Sequence, residues 1–220
     1  MKCLKLSILS GNSDIISECL KFQKPNLGCM YYAIISHHLD IVILLYNEYH
    51  LPIDLEDCCR YHNLPAFLYY LDQTRDIDLC FVISPHFRLP HLSEYLYLNG
   101  ARIDATQNLR TTALHNACSE KLLELVSFLI LHGADVNCRD YTYLTPLHYA
   151  AMNNDIDMEN FLLSHGADPE LWDDRGLLYK HYHRSERQEE TNLEEDSISE
   201  NSKNGFFFSF LTSFLYYLIS

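Results

Sequence analysis

Cysteine and histidine are the residue types of this chain that could carry out chemistry. The 220-residue sequence contains 8 cysteines and 12 histidines. Cys58, Cys59 and His62 fall within about one helical turn, a spacing that suits a thiolate nucleophile with a general base. No neighbouring residues mark an oxyanion hole or a group that would orient the histidine. Buried core cysteines are therefore the preferred interpretation, and a Cys-dependent hydrolase is the alternative.

Two histidine pairs suggest metal binding but lack the remaining ligands. His37 and His38 are adjacent, and His181 and His183 are separated by one residue. A zinc site needs three or four protein ligands, yet neither pair has a convincing third and fourth ligand, and the sequence has no C-x-x-C pair. Gly-rich phosphate-binding motifs and H-E-x-x-H are also absent from the sequence. We therefore expect no catalytic site, no cofactor and no metal.

The charge balance limits the class of partner. The chain has 30 acidic and 16 basic residues, which gives a formal charge of −14. Nucleic-acid binding needs concentrated Lys and Arg, so no DNA or RNA partner is expected. A protein partner with a basic or mixed face is expected instead. The cysteine spacing and the absence of a secretory signal favour free thiols, mostly buried, in a cytoplasmic protein.

Two short patterns recur with one shared period in the second half of the chain. Gly-Ala pairs begin at Gly100, Gly133 and Gly166, and T-x-L-H patterns begin at Thr112 and Thr145, so both follow a 33-residue period. A fixed period of this length indicates stacked supersecondary units. Thr is a good helix N-cap, and glycine suits the left-handed conformation that ends many helices. Each unit is therefore predicted to be a pair of helices.

These patterns resemble the ankyrin repeat. The resemblance implies an all-α solenoid of helical hairpins, with short β-hairpin turns in the C-terminal repeats. It predicts a repeat region over residues 84–183, with clear copies at about 107–139 and 140–172 and a partial copy from 173. Because the partial copy loses the pattern after Gly176 and no second helix follows it, the array is interpreted as either capped or truncated there.

The resemblance also assigns roles to individual positions. It implies that the T-x-L-H histidines tie adjacent turns together as structural residues, namely His115, His148 and His181. The turn glycine of the repeat is kept only at Gly176 and is replaced by Arg110 and Tyr143 in the preceding copies. Those two hairpin tips are therefore expected to be distorted.

The first half, residues 1–83, has a weaker and shorter rhythm. Asp14 and Asp40 start similar apolar segments and define a 26-residue unit. A unit of 26 residues is too short to contain both a helix pair and the hairpin turn of the 33-residue repeats. Helix pairs without a hairpin turn are therefore predicted. The apolar run 79–83 is interpreted as helix in preference to a buried strand. The stretch from Leu51-Pro-Ile-Asp-Leu-Glu through Tyr70-Leu-Asp-Gln-Thr to Pro90-His-Leu-Ser-Glu-Tyr resembles the domain of unknown function that precedes ankyrin repeats in large families of parasitic protists. That resemblance implies one continuous solenoid over residues 1–183 and lends no chemistry.

The C-terminal segment differs in composition from everything before it. Residues 184–204 contain seven acidic and three basic residues and almost no apolar ones, which predicts a disordered acidic linker. Residues 205–220 form a Phe-rich, uncharged tail. A span of about 20 residues usually crosses a bilayer, so this tail is short for that purpose. A membrane anchor, a packed cap and non-native sequence all stay open, and the anchor would make the protein a membrane-tethered adaptor.

The preferred function is a non-catalytic scaffold or adaptor that binds a protein partner on its concave face. By analogy with the ankyrin family, the binding side chains come from the hairpin turns and the first helices. Eleven positions are predicted to provide them: Asn108, Asn116, Ser119, Glu120, Tyr141, Thr142, Tyr149, Met152, Asn153, Asp174 and Arg175.

Overall fold

The computed structural model describes residues 2–183, which pack as one unit of paired helices. The α-helices of this part are α1 Lys2–Ser10, α2 Ser13–Phe22, α3 Leu27–Ile35, α4 Leu39–Tyr49, α5 Leu55–Arg60, α6 Leu64–Thr74, α7 Ile77–Ile83, α8 Pro90–Leu98, α9 Ala113–Ser119, α10 Leu123–Leu131, α11 Pro146–Met152 and α12 Ile156–Ser164. Single turns of 3-10 helix occupy Ser84–Phe87 and Tyr179–Tyr182. The described residues contain no strand, only an isolated antiparallel bridge between Trp172 and Leu178.

Stacking of the helix pairs gives the molecule its architecture. Each odd-numbered helix packs against the even-numbered helix that follows it, and α1, α3, α5, α7, α9 and α11 contact one another in sequence. This arrangement is a solenoid, in which each unit contacts mainly its neighbours. The predicted all-α helical-hairpin fold is confirmed.

Short polar side chains set the helix starts in the first half. Asn12 accepts hydrogen bonds from the backbone N–H groups of Asp14 and Ile15, each at 3.1 Å, and Asn63 caps α6 in the same way. Asp14 and Asp40 both lie in the first turn of a second helix, α2 and α4. The 26-residue rhythm thus corresponds to helix pairs, and the run 79–83 is helical within α7, as predicted.

Glycine ends the second helix of three successive units. Gly100, Gly133 and Gly166 have φ values of +105°, +91° and +93°, a region that side-chain-bearing residues seldom occupy. The alanine after each glycine donates a backbone hydrogen bond back into the preceding helix, for example from Ala134 to the carbonyl of Leu129 at 3.0 Å. The 33-residue spacing of the glycines is therefore the number of residues from the end of one second helix to the end of the next.

The hairpin tips are regular, so the expected distortion is wrong. Arg110 and Tyr143 have φ values of 58° and 62°, close to the 77° of Gly176 at the equivalent position. Their N–H groups close the same turn by bonding to the carbonyls of Gln107 at 2.8 Å and Asp140 at 3.2 Å. The turn keeps its left-handed conformation and places the strain on these two residues.

A single hydrophobic core runs through all the stacked units. Small buried residues, such as Ala33, Ala66, Ala117 and Ala150, let neighbouring helices approach closely. Five of the eight cysteines are fully buried in or beside this core, namely Cys29, Cys58, Cys59, Cys80 and Cys118, and all eight are free thiols. They serve as small apolar packing residues.

The partial third copy ends as a short turn against the last complete repeat. The N–H of Leu178 donates to Nδ1 of His181 at 3.0 Å, which repeats the helix-start geometry of the T-x-L-H units without the threonine. The chain then forms the 3-10 turn Tyr179–Tyr182, and the buried ring of Tyr182 meets the ring of His148 edge-on at 5.7 Å. This turn covers part of α11.

Candidate functional site

The T-x-L-H histidines connect successive hairpins. Nδ1 of His115 accepts a hydrogen bond from the N–H of Thr112 at 3.2 Å, so the ring proton lies on Nε2, which donates to the carbonyl of Leu144 at 3.1 Å. His148 repeats this with Thr145 and Leu177 at 3.2 and 3.3 Å. Burial lowers the pKa of both imidazoles. They are neutral structural residues, as the resemblance implies for these two positions.

Buried aspartates fix the two C-terminal hairpins from inside. Oδ1 of Asp140 accepts hydrogen bonds from the N–H groups of Thr142 and Leu144 at 2.7 and 3.0 Å, and Oδ2 accepts one from the Tyr149 hydroxyl at 2.9 Å. Asp173 holds the next hairpin in the same way. The sequence predictions missed this pair, although its 33-residue spacing was a signal that could have found it.

Four of the eleven predicted binding residues are engaged inside the protein. Asn116 donates to the carbonyl of Val82 at 2.7 Å, and Asn153 donates to that of Ser119 at 2.9 Å. Glu120 is held by His86 at 2.9 Å and Arg88 at 2.8 Å, bonds that lower the pKa of its carboxyl group despite partial burial. The fourth is Tyr149, whose pKa is raised by burial and by the Asp140 carboxylate, so its hydroxyl remains a donor.

The other seven positions lie at the surface or partly buried near it. Asn108, Tyr141, Thr142, Met152, Asp174 and Arg175 are exposed, and Ser119 is half-buried. Arg175 also pairs with Asp173 at 3.2 Å and contacts the Tyr182 hydroxyl. Most of these seven residues belong to the hairpin tips, which are hydrogen-bonded to each other from Tyr141 N–H to Leu109 O at 2.9 Å and from Asp174 N–H to Thr142 O at 3.0 Å.

Aromatic side chains are prominent on the tips. Tyr141 is 70% exposed, Trp172 is 54% exposed and Tyr143 is 47% exposed, although each is large and partly apolar. Between the last two lies Arg139, whose guanidinium carbon is 5.5 Å from the ring centroid of Tyr143 and 5.7 Å from that of Trp172. The sequence predictions included Tyr141 but missed Arg139, Tyr143 and Trp172. Arg139 and Trp172 occupy the same position in successive repeats, a signal that could have found them.

Two parts of the chain match known protein families. Residues 86–173 match the family described as ankyrin repeats (three copies), and residues 1–70 match a domain of unknown function, DUF3447. The chain contains an ankyrin-repeat region. A search of curated proteins gave no significant match.

Ankyrin repeats are typically non-catalytic protein–protein interaction modules, and the thiols of this chain suit that role. Burial, reinforced by Asp54, raises the pKa of Cys58 to about 12, and burial also raises the pKa of Cys59. At pH 7 a thiol of that pKa is roughly 10⁻⁵ ionised, and the thiolate is the nucleophile. The thiolate nucleophile that the hydrolase alternative requires is therefore almost absent at Cys58 at neutral pH.

The side chains of His181 and His183 have partners within the protein. Among residues 2–183 there is no group of three or more His, Cys, Asp or Glu side chains that could hold a metal ion. His181 accepts the Leu178 N–H, and Nε2 of His183 pairs with Glu159 at 3.2 Å.

The membrane prediction concerns a part of the chain that the structure does not describe. No helix among the described residues is long and apolar enough to cross a bilayer. The acidic linker 184–204 and the Phe-rich tail 205–220 lie outside those residues, so the anchor, cap and non-native interpretations of the tail stay predictions.

Proposed function

We propose that this chain is a non-catalytic scaffold or adaptor that binds a partner protein through the hairpin tips and first helices of its ankyrin repeats. The observation that carries the proposal is the display of large exposed side chains on a fixed backbone. Tyr141 is 70% exposed, yet its N–H is bonded to the preceding hairpin and the adjacent Asp140 is buried. Tyrosine in such a setting offers amphipathic contact area to a partner.

Preorganisation is the proposed source of affinity. Asp140 and Asp173 each fix a hairpin through several hydrogen bonds, and His115 and His148 connect one hairpin to the next. A partner that binds these tips does not have to order them first. Since ordering flexible groups opposes association, a fixed surface binds with a smaller entropic cost.

The predicted contact residues divide into two roles within this proposal. We assign direct contact to the exposed positions, which are Asn108, Tyr141, Thr142, Met152, Asp174 and Arg175, with Ser119 beside them. Asn116, Glu120, Tyr149 and Asn153 act as positioning residues because their polar groups have internal partners.

The proposal also covers the domains and the compartment of the protein. Residues 1–83 form a helical-pair domain of unknown function, residues 84–183 form the repeat region, and the protein is cytoplasmic. The formal charge of −14 favours a partner whose contact face is basic or mixed, with association that weakens as salt increases.

A matched pair of tyrosine variants tests the proposal. The full-length chain, Tyr141→Ala and Tyr95→Ala are immobilised in parallel, and proteins captured from a cell extract are identified and then re-measured as purified partners. Tyr95 is 58% exposed but lies on α8, away from the tips. We expect Tyr141→Ala to weaken partner binding and Tyr95→Ala to leave it unchanged. Equal binding of every partner by both variants would mean that the hairpin face is not the interface.

A further inference from the structure

Two arginines of the hairpin tips differ from the other arginines of the protein. Five of the seven arginines among residues 2–183 form ion pairs with Asp or Glu: Arg60, Arg75, Arg88, Arg102 and Arg175. Arg110 and Arg139 have no carboxylate partner among the described residues, and both lie in hairpins.

The surroundings of Arg139 orient its guanidinium group. The rings of Tyr143 and Trp172 lie 5.5 and 5.7 Å from it, at distances typical of cation–π contacts. The Trp172 backbone is held by its bridge to Leu178. Arg139 is half-buried, and the N–H edge of a guanidinium matches the two oxygens of a carboxylate.

The nearby buried aspartates do not occupy this edge. Both oxygens of Asp140 accept hydrogen bonds from its own hairpin and from Tyr149. Asp173 likewise accepts from the N–H groups of Arg175 and Leu177, and it pairs with Arg175 rather than Arg139. The cation therefore lacks an acidic partner although two aspartates lie in the adjoining turns.

We propose that Arg139, with Tyr143 and Trp172, forms a recognition site for the carboxylate of an Asp or Glu side chain in a peptide segment of the partner. The inference rests on the proposed function and specifies the chemistry of that interface. An apolar side chain next to the acidic one would pack on the exposed part of the Trp172 side chain. Because Asp168, Glu170 and Asp174 are exposed nearby in sequence, basic residues flank the acidic one in the preferred segment.

Selection from a random peptide library displayed on phage tests the site without knowledge of the partner. The baits are the full-length chain, Arg139→Gln and the control Arg60→Gln, which removes an exposed arginine from α5. We expect the wild type and Arg60→Gln to enrich peptides with an acidic residue beside an apolar one, and Arg139→Gln to lose that preference. The best peptide is then synthesised with an amidated C-terminus, so that its side chain supplies the only candidate carboxylate.

Trp172 reports binding of that peptide directly, because it is the single tryptophan of the chain. We expect Arg139→Gln, and separately the exchange of Glu or Asp for its amide in the peptide, to weaken binding by about tenfold or more, since a charge-assisted hydrogen bond is lost in each case. Combining the two changes adds little further loss. Arg139→Lys binds with intermediate strength because it keeps the charge without the planar fork. If Arg139→Gln folds poorly, Arg139→Lys takes its place: weaker binding of the acidic peptide by Arg139→Lys, with no change for the amide peptide, assigns the carboxylate to Arg139, and equal binding by Arg139→Lys and wild type overturns the assignment.

Each remaining outcome has a definite meaning. Peptides that show no acidic preference, or that bind wild type and Arg139→Gln equally, overturn carboxylate recognition and leave the protein-binding function in place. A selection that enriches no peptide on any of the three baits counts against both proposals.

Discussion

Arg110 and Tyr143 adopt a left-handed backbone conformation that residues with a Cβ atom disfavour, because the hairpin turn requires it at their position. Both hold a left-handed backbone at a position where Gly176 serves in the next copy. For a residue with a Cβ atom this conformation costs about 1–2 kcal/mol. The hydrogen bonds that close each turn and link the neighbouring hairpins offset that cost.

Replacing Arg110 by glycine should therefore stabilise the protein. Arg110→Gly relieves the left-handed strain, and the greater flexibility of glycine in the unfolded chain cancels part of the gain, so we expect about 0.5–1 kcal/mol of added stability. Chemical denaturation followed by circular dichroism measures the change. Arg110→Ala is the matched control, since it removes the same exposed side chain but keeps the strain. A glycine variant no more stable than the alanine variant would contradict the explanation.

Buried neutral histidines predict how stability depends on pH. Burial lowers the pKa of His148 in the folded protein, so the unfolded chain binds more protons than the native state. Stability from this group is present above the unfolded pKa of about 6.5 and decreases as pH falls below it, by at most about 1.4 kcal/mol per pH unit. Unfolding between pH 7.5 and 5 should become less pH-dependent in His148→Gln.

His91 provides a control of opposite sign. Its hydrogen bond to Glu94 raises its pKa, so its contribution is present at low pH and is lost as pH rises. His91→Gln should leave the pH dependence as steep as before or make it steeper. If it flattens the dependence as much as His148→Gln does, burial of the T-x-L-H histidines is not the cause.

At the level of helices and hairpins, spacing predicted elements better than it predicted side-chain roles. The 33-residue period located the helix starts, the glycine ends and the structural histidines, because those features depend on backbone conformation. It could not separate Asn116 from Tyr149, which occupy the same repeat position. Asn116 reaches back to Val82, whereas Tyr149 bonds to Asp140 in its own repeat. Which neighbour a side chain reaches depends on three-dimensional packing, and the repeat spacing alone does not specify that packing.

Adjacent repeats are joined by side chains that accept hydrogen bonds from the start of the next loop. Asn137 accepts the N–H of Asp168 at 2.8 Å and donates to the carbonyl of Gly166 at 3.0 Å. Asp104 accepts the N–H of Asp135 at 3.1 Å, one repeat earlier. This acceptor position thus recurs from one repeat to the next and supplies a polar link between units, in addition to their shared apolar core.

Removing one of these links should loosen a single junction. Asn137→Ala leaves the Asp168 N–H and the Gly166 carbonyl without their partner, and we expect a loss of about 1 kcal/mol, because two hydrogen bonds are lost at a solvent-accessible site. Hydrogen exchange of the Asp168 amide should accelerate accordingly. Asn108→Ala, which changes an exposed residue of a hairpin tip, should alter neither stability nor exchange. Unchanged exchange at Asp168 in Asn137→Ala would show that the link contributes nothing.

Across residues 2–183, the free energy of folding is distributed along the stacked helix pairs. The last helix pair of the stack needs another element to pack against its outer side. In a solenoid each unit contacts only its neighbours, so the last unit lacks a partner on one side unless another element supplies it. Here the turn Tyr179–Tyr182 packs against α11 and buries Tyr182. Among the described residues, the remnant of a third repeat therefore covers part of the last helix pair, at the point where the loss of pattern after Gly176 left both a capped and a truncated array open.

Truncating Tyr182 should uncover that end and no other part of the molecule. Tyr182→Ala removes a buried ring from beside His148 and a hydroxyl that donates to Asp173, so we expect a loss of about 3 kcal/mol, in the lower range for buried aromatic truncations. Because coupling decays from unit to unit, amide exchange should accelerate in α11 and α12 while α1 to α4 keep their protection. Tyr141→Ala, which removes an exposed ring, is the control and should change exchange nowhere in the core. Acceleration spread evenly from α1 to α12 would mean that the described residues unfold as one cooperative block rather than from an end.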